Sequence, residues 1–480
     1  MRIIESIYFE AGGAGGTCGV ADVRTRGLDI RVPRLVMLAF VVLVATIMCN
    51  PTYAVAESSS DPTVTEQQKK IDTLNQQIEQ MRAQQAALVA KLKETEAKVP
   101  GPAPTPAPPL SSPSVTGPLS MASPTSIDLG NLGIPGLSDL PPAIANLLKF
   151  DLDGVVSGIG IVQNHAVSGD RSARADASNA FVILQKADGP IQFYLQVGAY
   201  SIPDLGLPYT SSGKSVDNLW GPLPVAYVKI APTDSFSIMA GNLPTLIGAE
   251  YTFTFENVNV ERGLLWNQEN AINRGVQLNY SKGPLSASVS WNNGFYSNSY
   301  TWLWGSLTYA INSANSLTAV GGQNLGFSKF ANFATPVLQN NSGIYNLIYT
   351  YTSSPWIVQP YFQWTVVPHN SDIGVSKTTS TLGGAILASY QLAEHFFLAG
   401  RAEFIGSTGN STDGAANLMY GPGSRAYSLT LTPTYQYKQF FMRPEVSYVQ
   451  ALNYTAGDIF GNQNRNPAQV RGLLEFGLLL

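Results

Sequence analysis

Three arginines towards the C-terminus each have a glutamate an even number of residues away: Arg401 with Glu403, Arg443 with Glu445, and Arg471 with Glu475. On an extended strand, side chains two or four residues apart leave the same face, so each pair shares one surface. Two chemistries fit. The guanidinium groups can form a basic wall that attracts anions, or the carboxylates can neutralise them in a ladder of ion pairs that stiffens the surface. A second concentration of charge lies in the stretch 243–272, which carries Glu250, Glu256, Glu261, Arg262 and Glu269. An acidic segment facing a basic wall creates a transverse field and a size filter, because clustered charge sets ion preference. The other reading is a solvated loop whose residues 251–260 pair as an extra strand.

Covalent chemistry has little to work with. A hydrolase needs a base such as His beside a nucleophile or acid, yet His165, His369 and His395 fall in or beside connections and outside any nucleophile motif. The chain has no phosphate-binding loop, dinucleotide fingerprint or HExxH motif. No enzyme activity, cofactor or metal site is expected.

The composition says what must position these charges. Of 480 residues, 44% are hydrophobic and only 12% charged, against about 25% charged in a soluble domain. Mean hydropathy is nevertheless only +0.03, because Asn, Gln, Ser, Thr and Tyr supply the polarity, which argues against a bundle of membrane helices. The 44 Gly and 31 Pro recur along the whole length, as turns between many short strands would require. No basic patch suggests nucleic acid.

Residues 1–56 form a leader. Arg31 and Arg34, the apolar run from Leu35 to Cys49, and the small Ala54 and Ala56 read as a signal peptide over 31–56. The apolar core is shorter than the roughly 20 residues a membrane helix needs. Both cysteines leave with this leader, so no disulfide or thiol chemistry is expected in the exported chain. Residues 64–99 then carry heptads, with Ile71, Ile78 and Leu92 in one register and Leu74, Met81 and Leu88 in the other, the spacing of a coiled-coil core. Residues 100–125 are a Pro-rich spacer, and 126–152 stay an unassigned connector.

From 153 to 480 the chain divides into segments of alternating apolar and polar residues, the mark of a strand with two different faces. Strands are expected at 153–163, 178–187, 190–200, 223–231, 235–242, 273–281, 284–293, 301–311, 315–324, 342–352, 356–366, 380–392, 395–406, 424–437, 439–450 and 468–480. Every second connection is a tight turn, as at Asp188-Gly189 and Lys282-Gly283, and nearly all the others are long. That rhythm, with an even strand number, belongs to an outer-membrane β-barrel. The fold class is therefore all-β: a transmembrane antiparallel barrel of about 16 strands with an N-terminal helical coiled-coil extension. Parity sorts the faces. Met442, Pro444, Val446 and Tyr448 share one side of their strand, and Gln439, Arg443, Glu445 and Ser447 share the other. The second side is the lumen, since a basic residue in midplane lipid costs about 2–4 kcal/mol. The same test turns Lys229, Gln192, Tyr194, Gln196, Gln359, Tyr361, Gln363, Arg401, Glu403, Arg471 and Glu475 inward.

The alternating strands, the stretch GNLPTLIGAEYTFTFENVNVERGLLWNQENAINRGVQLNYSKG from Gly241 to Gly283, and the last strand with Leu474, Phe476, Leu478 and Leu480 in step resemble outer-membrane porins of the OmpL-like family. The resemblance covers the barrel region; it departs at the final residue, which is Leu480 where porins typically end on an aromatic. It implies a water-filled channel for passive diffusion of small hydrophilic solutes or ions, in the outer membrane of a Gram-negative bacterium. It also implies a homotrimer, and a third long connection that folds into the pore. Glu250, Glu256, Glu261, Arg262, Lys229, Arg401, Glu403, Arg443, Glu445, Arg471 and Glu475 are then the pore-lining or constriction candidates. The partners are membrane lipid and solutes, with the coiled coil in the periplasm and in reach of the cell wall. The alternative is a structural barrel tethered to the cell wall or a partner through that coiled coil.

Overall fold

The computed structural model describes residues 119–129, 148–410 and 412–480, all within one compact unit. The leader and the coiled-coil heptads lie outside the described residues. A short strand β1 (Thr125–Asp128) precedes sixteen others: β2 (Lys149–Gln163), β3 (Ala173–Lys186), β4 (Ile191–Tyr200), β5 (Val225–Thr233), β6 (Phe236–Pro244), β7 (Ile272–Lys282), β8 (Leu285–Asn292), β9 (Trp302–Asn312), β10 (Asn315–Asn324), β11 (Gly343–Ser353), β12 (Trp356–Val367), β13 (Thr379–Ala393), β14 (Phe396–Ser407), β15 (Arg425–Tyr437), β16 (Phe440–Leu452) and β17 (Ala468–Leu479). Two short helices, α1 (Ser212–Asn218) and α2 (Val337–Asn340), lie in long connections.

From β2 to β17 each strand pairs antiparallel with the next, and β17 pairs with β2, with Glu475 opposite Ile159. The sheet closes on itself, which removes the open edges that a lipid environment forbids. Alternation supplies both faces. Val156, Val182, Val228, Val276, Leu307, Leu382, Leu429, Val446 and Phe476 are exposed on the outside, while Gln277, Ser290, Thr318, Gln363, Thr430 and Ser447 are buried within. So continuous an apolar exterior is an interaction surface, not a water-facing one. Tight turns such as 283–284, 394–395 and 438–439 gather at one rim, and the long connections at the other.

The expected strands recur with small shifts. The first begins at Lys149, where polar Lys149 and Asp151 interrupt the apolar alternation, and the second at Ala173, ahead of inward Arg174 and Asp176. Within the expected connector, β1 pairs with the start of β2, Ser126 opposite Asp151. It continues the line of β17; Leu480, the residue after that strand, exchanges two backbone hydrogen bonds with Gly154. The Ser126 hydroxyl donates to Asp151 at 2.7 Å, and Lys149 pairs with Asp128 at 3.3 Å. Residues 251–260 form no added strand; a single 3-10 turn occupies Thr254–Glu256.

Candidate functional site

The connection between β6 and β7, residues 245–271, turns inward and is buried along nearly its whole length. Its sequence makes this favourable at both ends. Leu246, Ile247, Ala249, Val258 and Leu265 pack against Trp302, Trp304, Ile344, Ile348 and Leu387 of the wall. Phe253 and Phe255 pack against Phe181, Tyr200 and Phe441, the Phe253 ring meeting Phe181 edge-on at 4.8 Å. Between these clusters charged side chains fasten the loop to the wall.

Arg401, on β14, donates to Glu250 of the loop at 2.6 Å, to Glu403 at 3.1 Å and to the Glu261 carbonyl at 2.5 Å. Arg443, on β16, donates to Glu475 at 2.5 Å and to the loop carbonyls of Asn257 and Thr254, each at 2.7 Å. Arg471, on β17, pairs with Glu261 and donates to the carbonyls of Asp204 and Leu207. Arg262 reaches from the loop to Asp204 at 2.9 Å. The four guanidinium side chains are fully buried, 0% exposed.

The wall carboxylates hold the loop through its backbone. Glu403 accepts from the Leu264 and Leu265 amides at 3.0 and 3.3 Å, and from the Ser428 hydroxyl at 2.6 Å. Glu445 accepts from the Val260 and Glu261 amides at 2.6 and 2.9 Å, and from Thr432 at 2.6 Å. Glu475 accepts from the Thr254 hydroxyl at 2.5 Å. Gly263 permits the approach to Glu403, since a Cβ there would run into that carboxylate.

Ten of the eleven candidate residues thus fall in or beside the loop–wall junction. Glu256 sits at the 3-10 turn, accepting from the Phe253 amide at 3.2 Å, without an arginine bonded to it among the described residues. Lys229 stands apart on β5, opposite Gln192. The pairing also differs from a simple same-strand ladder. Arg443 bonds Glu475 across the β16–β17 register and Arg471 bonds the loop, while Glu445 serves backbone amides. Sequence reasoning missed Asp204 because an isolated acid in a long connection carries no periodic signal. It likewise missed Asn346, which accepts from the Gly248 amide at 2.8 Å.

The family model described as "Putative beta-barrel porin-2, OmpL-like" matches residues 149–480, the whole barrel from β2 onward. Similar solved structures include OmpT of Vibrio cholerae in a trimer form (10% identity, TM-score 0.46, covering 69% of this chain and 99% of that one). An anion-selective porin from Comamonas acidovorans gives 11%, 0.46, 69% and 99%, and the outer membrane channel DcaP of Acinetobacter baumannii gives 12%, 0.45, 68% and 96%. No curated protein matches the sequence. With the family model covering more than half of the chain and the barrel closed as a porin's must be, the protein belongs to the OmpL-like β-barrel porins: it is an outer-membrane porin, a channel for passive diffusion.

Proposed function

We propose that the inserted 245–271 loop is the constriction of this channel, and that its charged residues act mainly by fixing the loop's position. Small hydrophilic solutes pass at a rate set by the aperture left beside the loop, with no energy input. The carrying observation is the burial of Arg262, Arg401, Arg443 and Arg471 in ion pairs with Asp204, Glu250, Glu475 and Glu261. A charge neutralised at contact distance and removed from water contributes little field at a distance. Selection by size therefore outweighs selection by a transverse field in this reading, and no catalytic step belongs to it.

Homotrimeric assembly, with the 64–99 heptads as a periplasmic coiled coil after export, is part of the same proposal. It is supported by the seven-residue spacing of Ile71, Leu74, Ile78, Met81, Leu88 and Leu92. Liposome swelling with neutral sugars of increasing size tests the constriction. Shortening the loop between Leu246 and Ala271 is expected to admit larger sugars, and an unchanged size limit would contradict it.

A further inference from the structure

The four arginines of the loop–wall junction are neutralised in ion pairs, but Lys229 is not. It is half-buried, and no carboxylate is bonded to it among the described residues. The alternate residues of β5, Val228 and Ile230, are each 51% exposed on the outer side, which leaves Tyr227 and Lys229 to the lumen. Register fixes their neighbours. Lys229 lies opposite Gln192 of β4 and Met239 of β6, while Tyr227 lies opposite Tyr194 of β4 and Gly241 of β6. Directly opposed side chains stand about 5 Å apart, and same-face neighbours along a strand about 7 Å apart. Lys229, Tyr227, Tyr194 and Gln192 therefore form one contiguous luminal patch, in which the two tyrosine rings stack at 5.7 Å and 14°.

The patch holds donors without acceptors to match. The Lys229 ammonium carries three, and the Tyr227 hydroxyl is not hydrogen-bonded among the described residues. Gln196, next to Tyr194 on the same face and 1% exposed, accepts from the Tyr194 hydroxyl at 3.0 Å through Oε1, and its Nε2 has no partner. Asp153 and Glu256 lie within electrostatic reach of Tyr194, but each is already held, by Gln185 at 2.9 Å and by the Phe253 amide at 3.2 Å. Tyr194 and Tyr227 pack against the cluster that seats Phe253 and Phe255 of the inserted loop, so the patch borders the constriction. An ammonium partly removed from water attracts an anion more strongly than one in bulk solvent. A carboxylate accepts at both oxygens, and with one hydrogen bond at each it spans roughly the separation of same-face neighbours.

We propose that Lys229 and the Tyr227 hydroxyl form a station for small carboxylate anions on the β4–β5 wall beside the constriction. The station rests on the channel reading and adds to it a substrate class, one that the neutralised arginine pairs do not select. Carboxylates exchange onto and off these donors as they pass, and neutral sugars do not need them.

Acetate is the probe, with the folded full chain in planar bilayers for reversal potentials and in detergent for saturation-transfer NMR of the acetate methyl group. Under a potassium acetate gradient the wild-type reversal potential is expected to lie further to the anion side than that of Lys229→Gln, and Lys229→Arg should stay near wild type. Tyr227→Phe should lower the permeability of acetate relative to chloride, which a charge acting only from a distance would not require. Saturation transfer is expected in wild type and lost in Lys229→Gln, and it reports occupancy without any current. Heat-modifiable gel migration verifies that each variant is a folded barrel. Equal reversal potentials, or equal saturation transfer, in wild type and Lys229→Gln would overturn the station. So would a wild-type ratio of acetate to chloride permeability in Tyr227→Phe, since Lys229 would then act as a diffuse charge and not as part of a site. Saturation transfer that is lost in Lys229→Gln, in a chain that carries no current, would support the station and overturn the channel reading instead.

Discussion

Arg443 and Glu475 face each other across the β16–β17 ladder at 2.5 Å, and the same guanidinium continues to the Asn257 and Thr254 carbonyls of the inserted loop. One buried side chain therefore joins two strands near the closing seam to the loop that crosses the lumen. Disturbing this pair disturbs barrel and constriction together.

Arg443→Ala leaves Glu475 buried without its cation and takes a donor from the Asn257 and Thr254 carbonyls, of which Thr254 keeps only the Asn257 amide. Breaking one partner of a buried pair costs about 3–5 kcal/mol. The variant is expected to unfold at a lower temperature in detergent and to pass larger sugars than wild type. Thermal melts and liposome swelling check the two effects, and an unchanged size limit would separate barrel stability from loop position.

Gly263→Ala places a methyl group into the Glu403 carboxylate, which Arg401, Ser428 and two loop amides already hold. Either the loop or Glu403 must move. Greater protease sensitivity within 245–271, with an intact barrel by circular dichroism, is the expected result.

The two faces of β16 should respond oppositely to the same charge. Val446 is exposed on the lipid side and Ser447 buried on the luminal side. Val446→Arg should lower barrel stability by about 2–4 kcal/mol if it lies near the bilayer midplane. Urea unfolding in lipid vesicles measures it. Replacing Val446 with Leu serves as the neutral control and should leave the midpoint near wild type.

At the long-loop rim, Lys377 bonds Asp413 at 2.7 Å and, with the Asn410 amide, holds the Asp413 carboxyl below its ordinary value. A carboxylate depressed by folding stabilises above its unfolded pKa, and that contribution is lost as pH falls through the folded value. The protection of amides in 408–410 and 412–417, taken relative to the intrinsic exchange rate at each pH, should therefore be lower in acid, below the usual aspartate range, than at neutral pH. Lys377→Met should reduce the difference, as followed by hydrogen exchange, leaving the part due to the Asn410 and Ala415 amides.

The barrel was legible because lipid outside and polar groups inside impose a period of two on every strand. The tight turns fix where each segment reverses. Val446 against Ser447 and Phe476 against Glu475 could be assigned by parity alone. Strand starts were less legible where inward polar residues such as Arg174 and Asp176 leave no apolar partner rhythm. The site was only half legible. That the 243–272 acids and the wall arginines belong together follows from their types, but which acid meets which arginine depends on how the loop is seated. Glu261 meets Arg471 while Glu445 turns to backbone amides, and no spacing in the sequence encodes that. The pairing of β1 with Lys149–Leu152 is equally long-range in origin.

The most direct test of the account is single-channel conductance of the full chain in planar bilayers, alongside a Glu250→Gln, Glu261→Gln double variant that removes the loop's ionic pairs with Arg401 and Arg471. The account predicts discrete ohmic steps from wild type and larger steps from the variant. A folded wild-type barrel that carries no current, or a variant whose steps match those of wild type, would contradict it.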